Sequence, residues 1–337
     1  MERTLGILWF FQNTLGVNWA PDDAEACATP YNLAKMRERG IRDDLLPLAA
    51  MLPQIPYVRE ARRLAGVQTL VGRDFYVRAK DGKAARHWAS SVAINDYSFD
   101  LHGTEDALEP DLDEPDPVNG TGPVCVPFGV FIPEKVDGLV PAEKNISQSR
   151  LVNGATRLQP STLLNGQAAG AIAALSALQK TPPRRLNIIA VQTALLASGD
   201  TLVPRWFGDV PHGSPLWRAT QLLALYGIMD VETANVLKTE PLGETTRWGA
   251  DRKPDAAENA ATLARLAAII PDKSLLPSAG GLARFPDRAA LALHLATLVA
   301  RHGRYHLGDP EPWQSAAHQR DLAAALAKRD ASRSKGK

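Results

Sequence analysis

Residues 150–175, RLVNGATRLQPSTLLNGQAAGAIAAL, hold the groups best placed to do chemistry. Arg157 brings a permanent cation, Gln159 an amide, and Pro160 sits where a helix can begin. The helix that follows is crowded with small residues, Asn165-Gly166-Gln167-Ala168-Ala169-Gly170. Two physical readings account for so little side chain. One is close packing against another backbone; the other is approach of a ligand to helix N–H groups carrying partial positive charge. Upstream, the apolar run GLVPAE and the polar stretch NISQSRLVNGATRLQPS complete a strand–loop–helix unit, in which Asn145 and Ser147 supply further amide and hydroxyl groups. Spacing alone leaves packing and ligand approach both open.

A second concentration of charge is YVREARR at 57–63. In an extended chain Arg59, Ala61 and Arg63 share a face; in a helix Arg59, Arg62 and Arg63 cluster. Grouped arginines hold a carboxylate or another anion bidentately, or they pair with neighbours such as Glu60 and Asp74. His102, beside Gly103, has a reference pKa near neutrality and can give or accept a proton; a structural histidine fits the same position. Cys27 and Cys125 are too few for a disulfide framework; they read as two separate buried thiols, with a single disulfide as the alternative. No CxxC, HExxH or His/Cys cluster occurs, so no metal site is expected.

Positioning these groups falls to a chain of 337 residues, 45% hydrophobic and 22% charged, the composition of an ordinary soluble globular protein with two domains or one domain and an appendage. The net charge of +1 offers no field for nucleic acid or an anionic membrane. No apolar run reaches the roughly 18 residues of a membrane span. The N-terminal LGILWFF reads as an amphipathic or core helix rather than a signal peptide. Residues 1–20 are expected to be helical, with Leu5, Leu8, Trp9, Gln12 and Leu15 near one face, and Trp9, Trp19 and Trp88 packed in cores or at a domain junction. Residues 67–78 read as strand, turn and strand, 88–102 as a strand, 104–123 as an acidic loop, and 124–132 as a strand interrupted by Pro127 and Gly129. GLVPAE reads as a short buried strand and 160–179 as a helix. Residues 185–330 are mostly helical, after a boundary at Pro182-Pro183. The expected organisation is therefore mixed, α+β or α/β. It has a helical entry and β-sheet domain over 1–137, a strand, loop and helix over 138–183, and a helical domain over 184–330.

The string AEKNISQSRLVNGATRLQPSTLLNGQAAGAIAAL at 142–175 resembles the C-terminal flavin-binding segment of FAD-dependent oxidoreductases of the glutathione-reductase-like superfamily. Pro56–Arg63, PYVREARR, resembles that family's PYIRESRR, and Ser91–Tyr97 with Asp100–Gly103 resembles its DSIAIGDYPIDIHG. The three motifs occur in consistent order. The resemblance implies FAD as cofactor, bound by an incomplete FAD-binding domain of which 138–183 is the closing strand and helix. It places Asn145, Ser147, Arg157, Leu158, Gln159 and Pro160 near the flavin. Gly166, Gln167 and Ala168 would present helix N–H groups to its polar edge. It further implies hydride transfer with a small organic substrate, an anionic one if Arg59 and Arg63 face it, and proton transfer by His102. The departure is equally plain: no GxGxxG exists, and NGTGPV at 119–124 and SAGGLARF at 278–285 have the wrong spacing and no preceding apolar strand. A truncated gene model, a partner chain carrying the dinucleotide-binding fingerprint, and a cofactor-less binding or surface-associated protein all fit that departure.

Further on, WFGDVPHGSPLWRATQLLALYGIMD at 206–230 resembles the start of an S-layer homology module, and Trp248 with Lys253–Ala260 resembles, imperfectly, its second segment. The chain as it stands carries no export signal, which implies the cytoplasm; a surface-layer-like module implies the outside.

Overall fold

The computed structural model describes residues 2–20, 28–51, 58–60, 62–75, 86–100, 122–204, 207–229 and 247–312. The chain divides into two compact units, Met1–Arg59 and Glu60–Lys337.

In the first unit α1 (Glu2–Asn13) is followed by α2 (Pro30–Glu38) and α3 (Leu46–Ala50). Local chemistry starts α2: Thr29 Oγ1 accepts the Asn32 N–H at 3.2 Å, and Pro30 presets the first helical φ. Met36, Leu46 and Ala49 form a small core. The expected N-terminal helix is present, but its aromatic residues are not packed in a core. Trp9 is 62% and Trp19 60% exposed. For Trp9 the reason is the run Ile7-Leu8-Trp9-Phe10-Phe11, whose consecutive apolar residues spread around the helix so that no single orientation buries them all; Trp19 lies beyond the helix.

The second unit is a mixed α+β fold. β1 (Ser91–Asn95) pairs antiparallel with β2 (Val124–Pro127), placing Asn95 opposite Val124 and Ile94 opposite Cys125. The register slips between Ser91 and Ala93, where the partner is Pro127, a residue with no N–H for the ladder. Beyond Pro127 the strand expected to run to residue 132 becomes a 3-10 turn, Phe128–Phe131, whose side chains are buried. Residues 67–71 form no strand. Gly66 bridges Pro133 and Leu70 bridges Gln148, and a 3-10 turn at Gly72–Asp74 follows, closed by Asp74 Oδ2 accepting the Val71 N–H at 3.0 Å. GLVPAE forms no strand either, because Gly138 sits at φ +78° and Pro141 has no N–H to pair. Among the described residues, then, the sheet is this two-stranded pair, and the closing strand is not found.

The polar stretch expected as a loop contains a helix, α4 (Arg150–Thr156), started by Ser149 Oγ accepting the Val152 N–H at 3.3 Å. α5 (Gln159–Gln179) matches the expected helix and ends at Lys180, in the left-handed region at φ 48°. The helical character after residue 185 is also found, in α6 (Ile188–Ala197), α7 (Pro215–Leu225), α8 (Ala256–Ile269), α9 (Ala279–Leu282) and α10 (Arg288–His302). Each begins at a side-chain cap, from Asn187, Ser214, Asp255, Ser278 and Asp287 respectively. The helix expected near residues 319–329 lies outside the described residues. α5 and α6 pack on β1, and α10 packs on α7 and α6. Trp88 is buried, as expected.

Two carboxylates in this unit behave oppositely. Asp209 accepts the N–H groups of Trp248, Gly249 and Ala250 at 2.8, 2.7 and 3.0 Å. Burial pushes its pKa up, but these donations outweigh burial and hold it below the usual range. Asp200 is 8% exposed, its Oδ2 has no hydrogen-bond partner, and burial pushes its pKa up to about 6. It also follows the C-terminus of α6, where the helix dipole is negative. With the folded-state pKa raised, its favourable contribution is complete below the ordinary Asp pKa and is lost as pH rises through about 6. Asp200→Asn is therefore expected to raise the melting temperature at about pH 8, by a gain on the order of 2 kcal/mol, and to leave it nearly unchanged at about pH 4, measured by scanning calorimetry.

Candidate functional site

The turn between α4 and α5 gathers several of the residues expected to face a ligand. Arg157 is the C-cap of α4 and Leu158 the N-cap of α5. Arg157 is 2% exposed. Its Nη1 donates to Glu60 Oε1 at 3.1 Å, and its Nη2 donates to the Asp100 carbonyl at 2.6 Å, with Asp100 Oδ2 at 3.4 Å. Glu60 Oε2 accepts from Arg150 Nε at 3.2 Å. Arg150 and Arg157 are seven residues apart, so they stand on one face of α4 and Glu60 bridges them. The Arg157 guanidinium is thus committed to protein partners.

Leu158 is half-buried, while Gln159 and Pro160 are exposed. The N-cap of α5 makes no side-chain hydrogen bond, and the first turn holds no acidic residue. Pro160 has no N–H and Ser161 is buried, so the exposed donor at this positive end of the helix is the Gln159 N–H, which has no carbonyl within the helix to bond.

Gly166, Gln167 and Ala168 do not lie at a helix start. With α5 beginning at Gln159, they fall in its third turn, where each N–H bonds the carbonyl four residues back and is unavailable to a ligand. Ala168 and Ala169 in this run are buried, while Gly170 faces open space. A Cβ on Gly166 would lie 3.4 Å from the Ala142 carbonyl oxygen, and Ala168 is fully buried. Gln167 is exposed.

Asn145 and Ser147 fasten the chain to residues 64–70. The Asn145 carbonyl accepts the Leu64 N–H at 2.9 Å, and its exposed side chain accepts the Glu143 N–H at 3.3 Å. Ser147 Oγ accepts the Gly66 N–H at 3.0 Å and lies 2.9 Å from Thr69 Oγ1. A Cβ on Gly66 would come within 2.6 Å of Ser147 Cβ, so this approach requires glycine. Arg59, the last residue of the first unit, and Arg63, in the second, are each half-buried, and Arg62 is exposed. His102 and Cys27 lie outside the described residues. Cys125 is buried, with Sγ 3.8 Å from His87 Nδ1. Among the described residues no group of His, Cys, Asp and Glu could hold a metal ion, and no helix is long and apolar enough to cross a membrane.

One polar cluster escaped the sequence reading. Ser161 Oγ donates to Asn95 Oδ1 in a buried contact between α5 and β1. Asn95 Nδ2 and both polar atoms of Asn165 have no hydrogen-bond partner, with the two side chains 2% and 1% exposed. Ser161 and Asn165 are four residues apart and so share a face, but only packing shows that this face meets β1. Buried groups of this kind are met by an internal water or by the polar edge of a ligand. The Arg150–Glu60–Arg157 bridge generates a direct test. Arg157→Ala leaves Glu60 and the Asp100 carbonyl without their fork and is expected to cost about 3 kcal/mol. Arg157→Lys should recover less than half of that, because an ammonium cannot reproduce the fork. The midpoints of urea unfolding curves measure both.

A family model for FAD-dependent oxidoreductases matches residues 10–195, a range that includes the α4–α5 turn and all of α5. No curated protein and no solved structure matches the chain. With more than half of its length matched, the chain belongs to the FAD-dependent oxidoreductase family.

Proposed function

We propose that this protein takes part in a flavin-linked redox reaction, exchanging a hydride between a small organic substrate and FAD. Family membership supports the flavin and the redox class. The observation that carries the reading further is the first turn of α5, uncapped, free of acidic side chains and exposed at Gln159 and Pro160, inside the matched range. This pole fits one electron-rich edge of a flavin. Bound FAD would supply the hydride acceptor or donor.

The chain's own residues do the remaining work in this reading. The positive pole of α5 holds the edge of the ring that becomes negative on reduction. Arg157, fixed by Glu60 and Asp100, orients the Leu158–Pro160 turn against it. Arg63 suits an anionic substrate, and His102 a proton transfer. The kinship to glutathione-reductase-like enzymes and the S-layer-homology-like character of the region around Asp209 belong to this same proposal. The alternative, a cofactor-less binding protein, is separated from it by a spectrum.

The absorbance spectrum of the purified chain, titrated with FAD, tests the reading. Oxidised-flavin bands and saturable binding are expected. Gln159→Glu should weaken binding about tenfold by placing a carboxylate at the positive pole. The same change should leave the melting temperature equal or higher, since a carboxylate suits a helix N-terminus. Unchanged affinity in Gln159→Glu would place the flavin elsewhere. No bands in excess FAD would exclude binding by this chain alone.

A further inference from the structure

We propose that Glu311 is a proton-linked latch: its carboxyl group fastens residues 309–312 over the chain that enters β1, more tightly when it carries a proton than when it is ionised. The proposal stands apart from the flavin reading. Glu311 Oε2 accepts the Ala89 N–H at 3.0 Å, across 222 residues of sequence. The Ala89 carbonyl is taken by Gln192 Nε2 at 2.6 Å, so the residue leading into β1 is gripped both from α6 and from the chain beyond α10. The Tyr305 hydroxyl donates to the same carboxyl group.

The chain beyond α10 is built in two parts. Up to Tyr305 it is tied down. The Tyr305 carbonyl accepts the Ile188 N–H at 2.8 Å, its N–H donates to Asn187 Oδ1 at 3.1 Å, and its ring meets Tyr226 with centroids 5.6 Å apart. A tight turn follows, in which the Asp309 N–H donates to the His306 carbonyl at 3.1 Å and Gly308 takes φ +96°, a conformation that glycine enters without steric cost. Beyond the turn, Pro310 and Pro312 carry no N–H, so the Glu311 side chain supplies the attachment to β1.

Charge decides when the latch holds. Burial raises the Glu311 pKa and outweighs the Ala89 N–H, the Arg86 charge and the Tyr305 hydroxyl, all of which lower it. Arg86 is shared with other partners: its guanidinium lies 3.6 Å from the centre of the Trp88 ring, and Nη1 is 3.4 Å from Asp74 Oδ1. Of the other ionisable groups at hand, His87 Nε2 is 3.0 Å from the Leu225 carbonyl, Asp309 Oδ2 accepts the His306 N–H at 2.7 Å, and the Tyr226 hydroxyl donates to Gln192. A neutral carboxyl group keeps both of its bonds, because its carbonyl oxygen accepts the Ala89 N–H and its hydroxyl donates to the Tyr305 oxygen. With the folded-state pKa raised, the favourable contribution of Glu311 is complete below the ordinary Glu pKa and is lost as pH rises through the raised value.

Amide hydrogen exchange read by NMR on the full chain, corrected for the intrinsic exchange rate, tests the latch from about pH 5 to about pH 8. In the wild type the protection of the Ala89 N–H is expected to fall several-fold as pH rises. In Glu311→Gln, whose carboxamide oxygen accepts the same N–H and does not ionise, protection should stay at its low-pH value throughout. Glu311→Ala should lose it at every pH. Wild-type protection that is flat across the range overturns the proposal. So does the same fall persisting in Glu311→Gln, because the proton would then belong to another group.

Discussion

Gln192 is the residue on which the second unit turns. It is fully buried on α6, and its carboxamide is completely used. Nε2 donates to the carbonyls of Ala89 and Ser91 at 2.6 and 2.9 Å, and Oε1 accepts from the Tyr226 hydroxyl at 2.6 Å. Ser91 Oγ then donates to the Leu202 carbonyl at 2.7 Å, and Gln221 Oε1 accepts the Leu202 and Val203 N–H groups at 3.0 and 2.9 Å. The network joins the start of β1, helix α6, helix α7 and the chain between those helices. In a low-dielectric interior each member is costly to leave unpaired, so the set specifies one arrangement. A two-stranded sheet has little stability of its own. Here β1 is held by side-chain amides as well as by β2.

α5 inherits its place from that frame, because it packs on both β1 and α6. The α4–α5 turn inherits its place from charge. Glu60 draws Arg150 and Arg157 to one point, and Arg157 reaches the chain beyond β1 at Asp100. The candidate site is therefore a first helical turn held by an ion-pair bridge on one side and by a sheet contact on the other. The bridge commits the Arg157 guanidinium to protein partners beside Leu158, Gln159 and Pro160.

The two faces of α5 differ in their surroundings. Its inner face is buried and holds Asn165 with both polar atoms unpaired; its outer face is apolar and open. An ordinary surface helix is amphipathic and needs only one neighbour.

Local chemistry was legible in the amino-acid sequence wherever one residue type dictates one outcome. Pro160 placed the start of α5, Pro127 ended β2 and slipped the register of its partner, and the apolar periodicity after residue 185 marked the C-terminal helices. The ordered motifs also identified the family. What lay beyond the sequence is whatever depends on partners distant along the chain. Asn145-Ile146-Ser147 looks like a ligand-facing loop until Leu64–Leu70 is laid beside it. Arg157 looks free until Glu60, 97 residues away, is brought to 3.1 Å. The small residues of GQAAG fit a ligand or a backbone equally well, and only the packing shows that Ala168 and Ala169 are buried while Gly170 faces open space. Composition and local propensity thus determined the helices, and the resemblance of the ordered motifs pointed to the class of chemistry. Tertiary structure decided which polar groups were consumed by the fold and which were left for function, because a hydrogen bond or ion pair is assigned only when both partners have been positioned.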